Sequence, residues 1–138
     1  MGEGNAAVME RFRAAIESGD MGAMTQLLID AAADDFVQEW PQSGERIRGR
    51  EASMKLMEGY EGATGSSPKM SFRRMTGSGD SYVVEGTIDY GDGTPVSYVG
   101  IAELRDGKVI KITEYFANPF EAPAWRTRFV ERMEPVAV

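Results

Sequence analysis

Apolar residues recur at helical spacing through the first half of the chain. The repeat over Asn5–Ser18 predicts a first helix, and Gly19 stands where a left-handed C-terminal cap is expected. Asp20 is a favourable N-cap for a second helix, which should run through a stretch of alanines and stop near Asp34. A third helix is predicted from Gly49 to Tyr60, followed by a loop from Gly62 to Pro68.

Two short extended segments are predicted between the second and third helices. Phe36–Trp40 has the composition of a strand closed by a proline, and Arg46–Arg48 follows a polar turn. The third helix has two possible buried stripes, which are Ala52, Leu56 and Tyr60, or Met54 and Met57.

The second half of the chain changes to strand composition, rich in Val, Ile, Tyr and Thr. Glycine-containing turns separate four predicted strands, at Lys69–Thr76, Ser81–Tyr90, Pro95–Arg105 and Val109–Phe116. Helices first and an antiparallel sheet afterwards predict an α+β fold, with three helices packed on the concave face of a curved sheet. A short C-terminal helix should carry Trp125 and Phe129, and either close the space between the helices and the sheet or pack on a partner subunit. We expect one domain over residues 1–138.

The composition restricts the chemistry more than the fold does. The 138 residues include no Cys and no His, which excludes disulfides, thiol nucleophiles, Ser-His-Asp relays and Cys/His metal sites. Proton transfer must therefore use carboxylates, Tyr, Lys or Arg. We expect no metal and no cofactor.

The charge balance and the N-terminal sequence indicate the compartment and the partners. The net charge of −7 disfavours nucleic acid and anionic membranes as partners. The N-terminal residues show no signal-peptide pattern and no long apolar run occurs, so we expect a cytoplasmic protein.

Glu114 is the leading candidate for a functional acid. A three-residue loop with Gly107 as a left-handed bulge would pair Tyr98 with Glu114 and Ala102 with Ile110. One strand face would then gather Tyr98, Gly100, Ala102, Ile110, Ile112, Glu114 and Phe116, with Glu114 as its single charge. The alternative is a structural acid paired with Arg73, Arg74 or Arg126.

The order of these weak motifs resembles the nuclear transport factor 2-like superfamily. The residues that carry the resemblance are Gly19-Asp20, Phe36–Pro41, Ile47-Arg48-Gly49-Arg50-Glu51 and Ile112-Thr113-Glu114-Tyr115-Phe116. Within the superfamily the chain looks most like SnoaL-type proteins, over residues 5 to about 130. The resemblance implies a cone with a pocket between sheet and helices, and a homodimer formed through the sheet. Fold alone does not settle function, because members include isomerases, hydrolases, cyclases and binding proteins.

Two groups of relatives suggest where chemistry would lie. Ketosteroid isomerases use a Tyr, an Asp base and a donor Asp, and those positions fall on Phe12, Trp40 and Ala102 here, so that mechanism is disfavoured. Limonene epoxide hydrolases place an acid before Tyr-Phe in the last strand, as Glu114 is here. Their second acid falls on Asp89, which would face Glu114 across the pocket. The alternative for Asp89 is an ordinary turn former.

A small, mostly apolar organic molecule is the ligand that this pattern favours. The candidate lining residues are Phe12, Trp40, Met57, Tyr60, Tyr98, Ala102 and Phe116, which otherwise belong to an ordinary core. Arg46, Arg48 and Arg50 either bind an anion or pair with nearby acids. The two function hypotheses are a cofactor-free isomerase, cyclase or hydrolase that uses Glu114 as acid/base, and a non-catalytic binding or dimerisation module.

Overall fold

The computed structural model describes residues 4–65 and 68–134, without the side chains of residues 21 and 61–64. Three helices precede or interrupt the early strands, and a meander of four strands follows. The elements are α1 (Asn5–Ser18), α2 (Met21–Ala31), β1 (Ala32–Trp40), β2 (Glu45–Arg48), α3 (Arg50–Thr64), β3 (Lys69–Ser78), β4 (Ser81–Asp89), β5 (Val96–Arg105), β6 (Lys108–Ala117) and a 3₁₀ helix (Ala124–Phe129). The fold is α+β, as the sequence predicts.

The strands form one six-stranded sheet in the order β2-β1-β6-β5-β4-β3. β1 runs parallel to β6, with Gln38 opposite Ile112, and the other neighbours are antiparallel. The expectation of a wholly antiparallel sheet is therefore wrong for this one pair. A parallel pair needs a long connection, and here α3 and the strands β2–β5 all lie between the two partners.

The first two helices begin and end through identifiable caps. Gly19 takes a left-handed φ of 71° after α1, and the Asp20 side chain accepts a hydrogen bond from the Ala23 N–H at 3.1 Å. The predicted end of α2 near Asp34 is wrong, because Ala32 already pairs with Val109 in the sheet.

Helix α3 extends further than predicted and buries the second of the two possible stripes. It continues to Thr64, so the loop predicted from Gly62 begins later, and residues 66 and 67 lie outside the described residues. Met54 and Met57 are half-buried, whereas Leu56 is 41% exposed. The stripe through Ala52 and Leu56 is therefore wrong, because α3 packs on β1 and β2 through its other side.

The turn between β5 and β6 differs from the predicted three-residue loop. Arg105 pairs with Lys108, so Asp106 and Gly107 form a two-residue turn, with φ of 52° and 77°. Two successive positive φ values match the twist of the flanking strands, which explains the choice of Asp-Gly here.

Because of a β-bulge after that turn, most of the residues predicted to share one strand face still do so, although the turn differs from the predicted one. The bulge inserts Ile110, which leaves the helix-facing side and lies by Val37 on the opposite face. The predicted pairings of Tyr98 with Glu114 and of Ala102 with Ile110 are wrong. The observed pairs are Tyr98–Phe116, Gly100–Glu114 and Ala102–Ile112. Glu114 nevertheless faces the helices, because the extra residue compensates for the shorter turn.

The core lies between α1, α2 and the helix-facing side of the sheet. Its largest fully buried apolar side chains are Phe36, Leu104 and Val8. Among the described residues, no helix is both long and apolar enough to cross a bilayer.

The C-terminal segment, described over residues 118–134, contributes none of these described residues to the core. Trp125 is 74% exposed and Phe129 is 67% exposed, so the prediction that they close the cone is wrong for the single chain. The short helix is 3₁₀ over its six residues.

Candidate functional site

Glu114 lies at the centre of the polar contacts on the helix-facing side of the sheet. Its Oε1 accepts hydrogen bonds from Gln38 Nε2 at 2.5 Å and Trp40 Nε1 at 2.9 Å, and its Oε2 accepts one from the Tyr98 hydroxyl at 2.5 Å. In all three contacts the neighbouring side chain donates and a carboxylate oxygen of Glu114 accepts. None of the described Lys and Arg side chains forms an ion pair with it, and Arg74 pairs with Glu85 instead.

Tyr98 reaches Glu114 because the residue between them in space is a glycine. Gly100 is the strand partner of Glu114, and a Cβ built on Gly100 would lie 2.4 Å from the Tyr98 hydroxyl oxygen. The space that a side chain would fill is therefore occupied by the Tyr98 ring. Burial, the nearby Glu114 charge and the hydrogen bond to it raise the pKa of Tyr98 well above its ordinary value, so the phenol stays a donor.

Aromatic rings surround the carboxylate. The Phe116 ring centroid lies 6.4 Å from that of Trp40 and 5.4 Å from that of Tyr98, in edge or tilted arrangements. Tyr60 of α3 and Tyr90, which follows β4, are 6.3 Å apart between centroids. Burial, then Tyr60 and Glu114, raise the pKa of Tyr90, which places these groups in one electrostatic neighbourhood.

The other predicted lining residues do not converge on Glu114. Ala102 is 3% exposed and belongs to the closed core, and Phe12 packs against that core from α1. Met57 is half-buried on α3. Trp40, Tyr98 and Phe116 thus form the assembled part of the predicted lining, with Tyr60 nearby through Tyr90.

Asp89 is the last residue of β4, and its carboxylate contacts the turn that follows rather than Glu114. Its neighbour Ile88 is buried in the helix-facing core, and Asp89 accepts hydrogen bonds from the N–H groups of Gly91 at 2.8 Å and Gly93 at 3.3 Å. The expected meeting of two carboxylates across one pocket is therefore not formed. The Asp89 carboxylate folds the turn after β4.

Two surface clefts lie away from Glu114. One of about 520 Å³ lies between the end of α1 and β3, and Asp89 contributes to its wall. The other, of about 420 Å³, lies on the opposite face of the sheet around Glu39 and Lys111. Among the described residues, no group of three or more acids could hold a metal ion.

The arginines near β2 pair mainly with acids. Arg46 contacts Glu39 at 2.5 Å, and Arg50 contacts Asp34 at 2.9 Å. Arg50 also donates to the Ile29 carbonyl at the end of α2. These contacts favour the ion-pair interpretation over anion binding for Arg46 and Arg50.

Gln38 and Ser53 are site residues that the sequence interpretation missed. Ser53 is fully buried, and its hydroxyl donates to Gln38 Oε1 at 3.2 Å. Strand alternation places Gln38 on the same face as Trp40, so the strand pattern contained the signal for Gln38. For Ser53 no pattern in the sequence distinguishes it from a solvent-facing serine.

The six-stranded mixed sheet with three helices packed against it places the chain in the α+β class. The sequence matches the SnoaL-like domain family over residues 9–115, and the chain belongs to that family. A search of curated protein sequences finds no match.

Solved structures agree with this assignment. An NTF-2 like protein of unknown function from Burkholderia xenovorans LB400 is 35% identical, with 93% of this chain and 94% of that chain covered and a TM-score of 0.70. A candidate ketosteroid isomerase from Kribbella flavida DSM 17836 is 23% identical, with 94% and 89% covered and a TM-score of 0.75. A candidate polyketide cyclase from Sinorhizobium meliloti is 20% identical, with 79% and 94% covered and a TM-score of 0.60. The latter two likenesses show the fold alone.

Proposed function

We propose that the protein binds a small, mostly apolar organic molecule beside Glu114, and that Glu114 is the acid/base of a cofactor-free isomerase, cyclase or hydrolase reaction. The observation that carries the proposal is the half-buried carboxylate among aromatic rings, held by Gln38, Trp40 and Tyr98. A half-buried carboxylate among aromatic rings is an unusual placement of an acid, which is characteristic of functional sites. Structural relatives described as a candidate isomerase and a candidate cyclase are consistent with this reaction class.

The donor pattern indicates what the ligand must offer. Among the described residues, two donors contact Oε1 and one contacts Oε2, so with respect to these residues Oε2 retains the capacity to accept one more hydrogen bond. A hydroxyl, or a C–H acid next to a carbonyl, would present a proton there. Glu114 would take that proton and return it to the product, which requires no other titratable group.

Binding of naphthol and of its methyl ether tests the proposal. The two probes share an apolar ring system and differ in one O–H donor. We expect the wild type to bind naphthol about tenfold more tightly, which is the value of one hydrogen bond to a charged acceptor. Glu114→Gln should lose this preference while binding the methyl ether as before, because the amide replaces an acceptor with a donor. Fluorescence titration measures both dissociation constants.

Native mass spectrometry of the purified protein supplies the natural ligand for the catalytic part. If a compound co-purifies, its conversion should stop in Glu114→Gln and persist in Glu121→Gln, which changes an exposed acid of the C-terminal segment. Equal affinity of the wild type for both probes would contradict the binding role. Unchanged turnover in Glu114→Gln would contradict the acid/base role.

A dimerisation module is the second candidate function, and the C-terminal segment favours it. Phe120, Trp125 and Met133 are 80%, 74% and 79% exposed, which is unusual for side chains of this size in a single chain. A second copy of the chain would cover them. Analytical ultracentrifugation of the wild type distinguishes a dimer from a monomer, and a strictly monomeric protein would contradict this candidate.

A further inference from the structure

A chain of hydrogen bonds runs from α3 across β1 to Glu114. Ser53 Oγ donates to Gln38 Oε1 at 3.2 Å, and Gln38 Nε2 donates to Glu114 Oε1 at 2.5 Å. The amide nitrogen of Gln38 therefore faces Glu114, and its amide oxygen faces Ser53. The direction of each hydrogen bond in the chain is thereby fixed.

The start of α3 is attached to β1 at two points, which leaves Ser53 little freedom. The Gly49 N–H donates to the Phe36 carbonyl at 2.7 Å, just before the helix begins, and Ser53 reaches Gln38 one turn later. A helical serine often donates back to the carbonyl of its own preceding turn. Ser53 instead donates to the Gln38 side chain of β1, and Ser53 is fully buried.

We propose that Ser53 and Gln38 are positioning residues of the Glu114 site. Ser53 fixes the direction of the Gln38 amide, and Gln38 fixes the carboxylate from the side opposite Tyr98. The effect of this positioning on ligand binding rests on the proposed function of Glu114. The orientation of the Gln38 and Glu114 side chains does not depend on that function, so the positioning role and the proposed function can be disproved separately.

The first test uses nuclear magnetic resonance of the full chain without ligand. Thr and Val have the same shape and differ in the hydroxyl, so Ser53→Thr and Ser53→Val separate the hydrogen bond from packing. We expect Ser53→Val to shift the Gln38 side-chain amide and Trp40 indole N–H resonances and to speed their exchange with solvent. Ser53→Thr should keep the wild-type positions. Identical spectra for the two variants would overturn the positioning role.

Gln38→Met provides an independent variant if Ser53→Val does not fold. It removes the amide while Ser53 stays in place, and the Trp40 indole resonance should shift because both residues donate to the same oxygen of Glu114. An unmoved Trp40 resonance in folded Gln38→Met would equally overturn the proposal.

The second test measures the consequence for binding with the naphthol pair. Ser53→Val and Gln38→Met should reduce the preference for naphthol about fivefold, the usual effect of one misplaced hydrogen-bonding group, and Ser53→Thr should retain it. If the wild type has no preference, the proposed function fails, while the spectra still decide the positioning role. If the wild-type preference persists in Ser53→Val, the positioning role is overturned.

Discussion

Gly100 is the residue whose lack of a side chain most directly shapes the site. The Tyr98 hydroxyl occupies the volume where a Cβ of residue 100 would lie, 2.4 Å away. Tyr98 is 8% exposed, so a displaced ring would press on the side chains around it. The hydrogen bond from Tyr98 to Glu114 therefore requires that residue 100 has no side chain.

Gly100→Ala should displace the Tyr98 hydroxyl from Glu114 and destabilise the fold by about 1–3 kcal/mol, as overpacking does. Urea unfolding measures the loss, and the changed environment of Trp40 should appear in its fluorescence. Gly59→Ala is the matched control, because nothing lies within 4 Å of a Cβ built there and a helical alanine is favourable. Equal stabilities of wild type and Gly100→Ala would contradict the crowding argument.

Tyr98→Phe removes the hydroxyl and should cost about 1–3 kcal/mol near neutral pH, since its acceptor is a carboxylate. The raised pKa of Tyr98 favours the neutral phenol in the folded protein. Its contribution is therefore complete below the ordinary tyrosine pKa near 10, and is lost as the pH rises through the higher folded pKa.

The stability difference between wild type and Tyr98→Phe should consequently narrow in alkaline solution. Chemical unfolding at a series of alkaline pH values measures it. The exposed Tyr115 provides the control Tyr115→Phe, which should change neither the stability nor its pH dependence. A constant difference for Tyr98→Phe would show that its ionisation is not linked to unfolding.

At the scale of elements, β1 is held on both sides through one side chain. Glu39 contacts Arg46 of β2 at 2.5 Å and Lys111 of β6 at 2.8 Å, on the face opposite the site. Hydrogen bonds from Lys111 and Arg46 lower the pKa of Glu39 below its ordinary value near 4.5. The two ion pairs thus link β1 to its antiparallel neighbour β2 and to its parallel neighbour β6.

Glu39→Gln should lower the thermal unfolding midpoint near neutral pH and have less effect in acid. A lowered folded pKa means that the stabilisation is present above the ordinary value of 4.5 and is lost as the pH falls through the folded pKa. Scanning calorimetry across this acid range measures the effect. Glu45→Gln changes an exposed acid of β2 with no ion pair among the described contacts, and should leave the profile unchanged. A difference that grows in acid would contradict the sign.

The caps between the first two helices could be predicted from neighbouring residues in the sequence, whereas the pairing of the strands could not. Gly19 and Asp20 act within one turn of their own positions, so the sequence identified them as caps correctly. The bulge at Ile110 and the parallel pairing of β1 depend on residues far away, which local patterns do not encode.

The same distinction applies to the candidate site. Glu114 could be placed on one strand face with Tyr98, but through a turn and a strand pairing that the structure does not have, and the bulge at Ile110 compensates for that error. Trp40 could be predicted as an aromatic residue near Glu114. Asp89 was assigned to the site from a resemblance in one strand, whereas its carboxylate accepts hydrogen bonds from the turn that follows β4. Ser53 was missed because its role comes from the packing of α3 on β1.

At the scale of the whole molecule, charge should govern self-association. Each copy carries −7, so two copies repel, whereas exposed side chains such as Trp125 favour contact. We expect a homodimer whose dissociation constant falls as salt is raised from low to physiological concentration, because salt screens the repulsion. Sedimentation velocity at several salt concentrations measures it.

Trp125→Ser should weaken the dimer about tenfold or more, as loss of a buried aromatic anchor does. Leu56→Gln changes an exposed apolar residue on α3 and is the matched control. If both variants associate like the wild type, the C-terminal segment is not part of the interface.

The parallel pairing of β1 with β6 also sets the order in which the molecule is completed. Gln38 and Trp40 are separated from Glu114 by 76 and 74 residues, so their contacts close a loop that spans more than half of the chain. Closing such a loop is slow compared with forming helices or hairpins. On the ribosome, the three α-helices and the first five strands emerge before β6, the strand that carries Glu114. The candidate site therefore cannot form in a nascent chain that lacks β6. The indole of Trp40 gains its contact with Glu114 only when β6 joins the sheet.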